Sequence, residues 1–151
     1  MDEKEPFELL PYAGAGKIRF GMTPQEVETI YGVADSTSVN HLKQRVEFRS
    51  FMNVAYSSGT GAGVSHIGFG RQMEGVRFNN VNLFLDDEDL ALNKMIGEDG
   101  NPFIYLGFIV LLKLGITLTG FHDKDIAQKA VALFPPGAWD KRIAKLKPFS
   151  S

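Results

Sequence analysis

The chain has 151 residues, 44% hydrophobic and 23% charged, with a formal net charge of −2; these are the proportions of a folded globular chain and lack the basic excess that a nucleic-acid surface needs. It contains no cysteine, which excludes a disulfide framework, a zinc–thiolate site, a thiol nucleophile and a cysteine-linked lipid anchor. Twelve Phe and four Tyr supply enough volume for a core without a metal or a cross-link.

The first residues, MDEKEPFELLPYAG, are acidic and carry no apolar run behind a basic region, so no signal peptide is expected. The longest apolar run, Leu106 to Leu112, stops at Lys113 and falls well short of the ~20 residues of a membrane helix. A single-domain soluble, cytoplasmic protein over residues 1–151 is the expectation, with no membrane and no nucleic-acid partner. Residues 1–13, with Pro6 and Pro11, read as an irregular N-terminal arm.

Gly14-Ala15-Gly16-Lys17 begins like a phosphate-binding loop. The pattern fails at Pro11, where the first glycine belongs, and at Ile18, where Ser or Thr belongs. Lys17 to Phe20 alternates polar and apolar residues, as a short strand does. Thr23-Pro24-Gln25-Glu26 is a capping box with proline at the first helical position. It predicts a helix over 24–31, with Val27, Ile30 and Tyr31 on its apolar face and Gly32 as its stop.

Residues 33–40 read as a polar loop. Arg45 to Phe51 predicts a strand that points Val46 and Phe48 inward, and Asn53 to Tyr56 a second. Ser57 to Gly63 is a glycine-rich turn between strands. Val64 to Phe69 and Gly75 to Leu85 read as further strands, the latter turned or bulged at Asn79-Asn80. Asp86-Asp87-Glu88-Asp89 opens a second helix, its acidic first turn suiting the helix dipole, and Gly97 ends it. Leu106 to Leu114 and Ile116 to Phe121 read as strands; Ala127 to Phe134 fits helix or strand, with strand favoured. The basic, amphipathic residues 138–147 predict a C-terminal helix, and Trp139 is expected in the core.

A shift of about 65 residues places Ile18 on Leu83, Phe20 on Leu85, Val27 on Leu92 and Gly32 on Gly97. This suggests half-repeats over 14–78 and 79–145. The fold class that follows is α+β, an antiparallel sheet of about six to eight strands packed by two or three helices, with a pseudo-twofold internal repeat.

No catalytic residue, metal site or cofactor is predicted. His41, His66 and His122 are far apart and lack metal-ligand spacing. Ser57, Ser58 and Ser65 have no Gly-x-Ser-x-Gly elbow. Gly59 to Gly63 lies between strands and offers no helix N-terminus to a phosphate. The densest single-sign feature is acidic: Asp86, Asp87, Glu88 and Asp89, with Glu98 and Asp99 at the far end of the same helix. It is the candidate face for a basic protein partner.

Phe20-Gly21-Met22-Thr23-Pro24-Gln25-Glu26-Val27 resembles a strand–helix motif of small bacterial α+β proteins. With the later Leu114-Gly115-Ile116-Thr117-Leu118, it is most similar to cytoplasmic immunity proteins of polymorphic toxin systems. A weaker resemblance is to the BamE-like lipoproteins, whose anchoring cysteine this chain lacks. The first resemblance implies a non-catalytic protein that neutralises a cognate toxin by covering its active site. The alternative is a small-molecule-binding or hydrolytic domain with a pocket between helices and sheet, using His66, His122 and Tyr56. A scaffold subunit is the third.

Overall fold

The computed structural model describes residues 1–58 and 61–150. Gly59 and Thr60 of the expected glycine-rich turn lie outside the described residues. The arm expected over 1–13 contains a strand, Phe7–Leu10 (β1), followed by Gly14–Ala15 (β2) and Ile18–Arg19 (β3). Phe7 and Leu9 both point inward and are buried. Their alternation is only four residues long and bounded by Pro6 and Pro11, which hides it from a reading by periodicity. Of the phosphate-loop lookalike, Gly14–Ala15 is strand and pairs with both β1 and β3, while Gly16 and Lys17 form the turn between β2 and β3.

The first helix, Pro24–Tyr31 (α1), follows its capping box. Thr23 Oγ1 accepts from the Glu26 N–H at 3.2 Å, and Glu26 Oε1 accepts from the Thr23 N–H at 3.1 Å. Gly32 ends the helix at φ +83°, a backbone region that a side chain would strain. Only Val27 of α1 is fully buried; Tyr31 packs against the core, whereas Ile30, expected on the apolar face, is exposed at 36%.

Next come Ser36–Val39 (β4), Arg45–Arg49 (β5), Met52–Tyr56 (β6) and Val64–Gly70 (β7). The loop expected over 33–40 is thus an exposed edge strand, held through its backbone to β5. Val76–Phe78 (β8) and Val81–Asn82 (β9) are joined by the predicted turn, with Asn79 and Asn80 both at positive φ. The second helix, Glu88–Asp99 (α2), is capped by Asp87, runs through Gly97 and ends at Gly100. A mid-helix glycine costs only ~1 kcal/mol relative to alanine, so Gly97 does not stop it.

The strand expected over 106–114 is shortened to its middle, and an unexpected strand precedes it. Phe103–Tyr105 (β10) turns through Leu106 and Gly107, both at positive φ, into Phe108–Leu111 (β11). Ile116–Thr119 (β12) and Ala130–Leu133 (β13) follow, with a 3-10 turn at Ile126–Gln128 between them. The expected C-terminal helix is a 3-10 segment, Asp140–Lys145, leading into Lys147–Pro148 (β14).

Among the described residues the strands form two sheets. The smaller has the order β3-β2-β1-β8-β9, and its β1–β8 pair is parallel. The larger is antiparallel throughout, β14-β10-β11-β12-β13-β7-β6-β5-β4. Mostly antiparallel sheets with two α-helices make an α+β fold dominated by sheet, with more strands than expected. Each helix is followed by a four-stranded meander, β4–β7 or β10–β13, and the last strands of the two meanders pair at the centre. The residue correspondence expected at Gly32 and Gly97 is not kept, since one glycine caps its helix and the other lies inside it. No helix among the described residues is long and apolar enough to cross a membrane.

One face of the large sheet carries the core. Val54, Ile67, Phe69, Val131, Leu133 and Leu118 pack there in one cluster with Val27 of α1, Met95 of α2 and Phe7 of the small sheet. Phe7 and Phe69 meet across the sheets, ring centroids 5.3 Å apart.

In β5 the expected orientation is reversed. Glu47 and Arg49 point inward, 3% and 2% exposed, while Phe48 points out at 37%. The two buried charges satisfy one another: Arg49 Nη1 donates to Glu47 Oε1 at 3.1 Å, and Tyr56 donates its hydroxyl to the same oxygen at 2.7 Å. Arg45 holds the other carboxylate oxygen at 2.8 Å. Arg49 also donates through Nε and Nη2 to the Gly32 carbonyl, at 3.0 and 2.8 Å, closing the C-terminus of α1. Burial pushes the Glu47 carboxyl up, but hydrogen bonds from Tyr56, Arg45 and Arg49 outweigh it and hold the group below the usual carboxylate range. Burial and the bond to Glu47 push the Tyr56 phenol well above its ordinary value.

Removing one partner leaves the other charge buried without compensation. Arg49→Met should therefore destabilise by about 3–5 kcal/mol, read from urea unfolding, whereas Arg45→Met, on the exposed side, should cost under about 1 kcal/mol. Because the folded value of Glu47 is depressed, its contribution is complete above the unfolded carboxylate value of about 4.3 and is lost as pH falls through the folded value. Urea midpoints below pH 5 should drop less steeply in Glu47→Gln than in the unaltered protein.

Candidate functional site

The opposite face of the large sheet is only partly covered. Over β10 and β11 it is closed by the C-terminal segment, where Trp139 packs edge-on against Tyr105, Phe108 and Phe134 at 5.3–6.0 Å. Trp139 is buried there, and Arg142 lies 4.3 Å above its ring. Over β13, β7 and β6 the sheet carries mostly short side chains, with Asn53 and His66 leaning over Gly68 and with Gln72 and Phe51 against Gly70. The strand pairs Ala130–Gly70 and Ala132–Gly68 make a floor of backbone and methyl groups. Asn53 pairs with Gly68 and Ala55 with His66, which carries the strip onto β6.

Two adjoining clefts occupy this strip. One, of roughly 360 Å³, runs from Phe48 and Phe51 across Gly68 to Ala132. The other, of roughly 460 Å³, runs from His66 past Thr117 to Pro135, Trp139 and Arg142. They share His66 and Ala132. No carboxylate lines either cleft among the described residues, and Arg142 is the one charged side chain, confined to the second. Phe48 and Phe51 stand 37% and 48% exposed at the first.

Gly68 decides what the floor can hold. A Cβ there would sit 2.8 Å from Asn53 Nδ2, 3.0 Å from Asn53 Oδ1 and 3.1 Å from His66 Nε2. The missing side chain leaves room for the amide and the imidazole to lean together over the glycine. Their pairing with other side chains is absent from the hydrogen bonds among the described residues. Burial lowers the proton affinity of His66 below its ordinary value, so the imidazole is neutral at pH 7. With no carboxylate beside it to orient it or to hold a positive charge, His66 can exchange hydrogen bonds but is not set up as the base of a triad. Ser65, next to it, donates to the Ala55 carbonyl at 3.4 Å.

The pocket expected between helices and sheet is not what brings these groups together. Tyr56 and His66 lie on opposite faces of the large sheet: Tyr56 is 1% exposed in the core, while His66 lines the outer clefts. His122 lies elsewhere, past the end of β12, its ring edge-on to Phe149 at 5.4 Å. His122 Nδ1 is buried without a hydrogen-bond partner.

The acidic residues are largely committed within the protein. Asp86 accepts from the Asn82 N–H at 2.9 Å, and Asp87 caps α2 through the Leu90 N–H at 3.1 Å. Glu88 pairs with Lys129 at 3.0 Å and Asp89 with Lys124 at 2.9 Å. The bond to Asp89 raises the Lys124 ammonium above its ordinary value. Glu98 accepts from Asn79 at 2.8 Å, about 15 Å along α2 from the cluster at its start. Asp99 corrects the expected face outright. It is 3% exposed and accepts from the Lys113, Leu114 and Asn101 N–H groups at 2.9–3.2 Å, so it anchors a loop inside the protein. Among the described residues no group of three or more His, Asp or Glu could hold a metal ion.

The outer strip does have a sequence signal. Ile67-Gly68-Phe69-Gly70 and Ala130-Val131-Ala132-Leu133 alternate large and minimal side chains at a period of two. Such a pattern places a bare face opposite an apolar one. No family model, curated protein or solved structure matches this chain.

His66 gives this face a pH dependence. Its folded value is depressed, so its contribution is complete above about pH 6.5 and falls as pH drops below that. Ring carbon shifts should show His66 titrating below 6.5, and His66→Asn should flatten stability between pH 7 and 5.

Proposed function

We propose that this is a non-catalytic binding protein that engages another protein across the outer face of the large sheet. The observation that carries the proposal is the nearly uncharged strip between Phe48 and Trp139, floored by glycine and alanine. Charge depletion with aromatic residues at the edges is the composition of an interface centre, and an open apolar strip of this kind marks interaction surfaces. The form of binding we favour is toxin neutralisation in the cytoplasm, with the strip covering the toxin's active site. The strand–helix motif of Phe20 to Val27 and the later Leu114 to Leu118 support it by their resemblance to immunity proteins. We also take the two helix-plus-meander halves, about 14–78 and 79–145, to be a duplicated unit with pseudo-twofold symmetry; the antiparallel pairing of β7 with β13 supports this.

Asp86 to Asp89, with Glu98, form a second contact for a basic partner, but Lys124 and Lys129 offset part of that charge. The two adjoining clefts favour a second reading, a small-molecule binder with its site on the outer face rather than under the helices.

The two surfaces are separable by capture of partners from the source cells on immobilised protein at low salt. Ala132→Glu should reduce recovery of a specific partner at least about tenfold, while Asp89→Lys with Glu98→Lys should leave most of it. The opposite pattern would move the interface to α2, and a wild-type protein that retains nothing specific would count against protein binding.

A further inference from the structure

The second cleft on the outer face is open space beside the His66 imidazole, roughly 460 Å³, which lies in the size range of small-molecule sites. Phe108, Phe134 and Trp139 give it aromatic walls, and Gln44, Thr117 and Arg142 bring polar groups to it. Among the described residues no carboxylate lines it, so Arg142 sets the sign of its charge.

The Arg142 guanidinium is held in place. Its Cζ lies 4.3 Å from the centre of the Trp139 ring, and Trp139 is itself buried against Phe108 and Phe134 at 6.0 Å. A guanidinium carries five N–H donors. Among the described residues only one of them is used, from Nη2 to the Ala138 carbonyl at 3.4 Å, and Arg142 enters no ion pair. Two further donors line the same cleft. Asn40 Nδ2 donates to Gln44 Oε1 at 3.1 Å, which occupies the acceptor of that amide and leaves its NH₂ group. The Thr117 hydroxyl, on β12 opposite Ala132, has no partner among the hydrogen bonds of the described residues.

A cleft with one cation, spare donors and no acid suits an anion, and a carboxylate matches the guanidinium fork with two parallel hydrogen bonds. A single cation balances a single negative charge, so a monocarboxylate fits better than a phosphate dianion. The three aromatic walls suit a ring, which packs edge-on or offset against them.

We infer that the second cleft binds a small aromatic monocarboxylic acid, its carboxylate on Arg142 with Gln44 and Thr117 donating, and its ring against Phe108, Phe134 and Trp139. This rests on the second reading above, a small-molecule site on the outer face, and names the chemical class of its ligand.

Trp139 is the only tryptophan in the chain and lines the cleft, so its fluorescence reports occupancy. The full chain is titrated with benzoate, phenylacetate and 3-phenylpropionate, and with the neutral amide of each. The expected result is a saturable change in Trp139 emission with at least one acid, weakening as salt rises. The matching amide should bind about tenfold more weakly for want of the charge-assisted hydrogen bonds. Arg142→Gln, at an exposed position, should leave the fold intact and remove the acid's advantage. Equal affinity for acid and amide would overturn the carboxylate assignment and leave the small-molecule reading standing. An advantage that survives Arg142→Gln would overturn the placement on Arg142. If neither acids nor amides give a saturable change, the inference and the small-molecule reading fall together, and protein docking is tested separately by capture with Ala132→Glu.

Discussion

Glu47 and Arg49 are adjacent inward positions on one short strand, and neither tolerates burial alone. Their mutual pairing, completed by Tyr56 and by the Gly32 carbonyl, is the constraint on which much of the first half of the fold rests. It joins β5, β6 and the C-terminus of α1 through groups that have no alternative partner in a dry interior. A one-residue slip of β5 would expose this network and bury Val46 and Phe48 in its place, so the pairing also sets register. Burying charge is not the cheapest way to gain stability, since a well-packed apolar triad often does as well. What the ionic arrangement adds is direction: only one orientation of β5 satisfies it.

That orientation has a consequence on the far side of the sheet. With Glu47 and Arg49 inside, Phe48 must stand outside, at the edge of the strip over β6, β7 and β13. At the other end the C-terminal segment folds back and fills the face with Trp139. Between these two aromatic boundaries β7 and β13 carry mostly glycine and alanine, with Asn53 and His66 over Gly68, and the sheet surface is only partly covered. The inner and outer faces therefore solve different problems with the same strands. Large residues at alternate positions bury the helices, and minimal residues at the intervening positions leave a shaped, uncharged surface. Binding another molecule is the use to which such a surface is suited, because water covering it has few partners there.

The acidic run at the start of α2 looks like a partner-binding device in a linear reading, yet most of its groups have local work. Capping a helix, closing the turn after β9 and pairing with Lys124 and Lys129 each need a carboxylate at that place. Lys124 and Lys129 come from a segment more than thirty residues away in sequence, so their arrival cannot be foreseen from spacing. Asp99 is the clearest case. Next to Glu98 it reads as one more surface acid, but the helix turns it inward, where three backbone N–H groups converge on it.

By itself the sequence determined the local devices: the Thr23 capping box, the Gly32 stop, the Asn79-Asn80 turn, an aspartate cap on the second helix and the α+β class. These depend on a few neighbouring residues whose hydrogen bonds close within one turn. It also determined that Gly14 to Lys17 is not a phosphate loop, because the required residues are missing. Tertiary structure decided which face of β5 is buried: hydrophobicity alone points Val46 and Phe48 inward, and only the partners that Tyr56 and Gly32 supply for the charges turn Glu47 and Arg49 inside instead. It decided that Ser36–Val39 is a strand, because a polar edge is held only by its neighbour's backbone. It brought Asn53 and His66 together over Gly68, because that meeting depends on the register of β6 against β7, and register is a property of paired strands rather than of either segment alone.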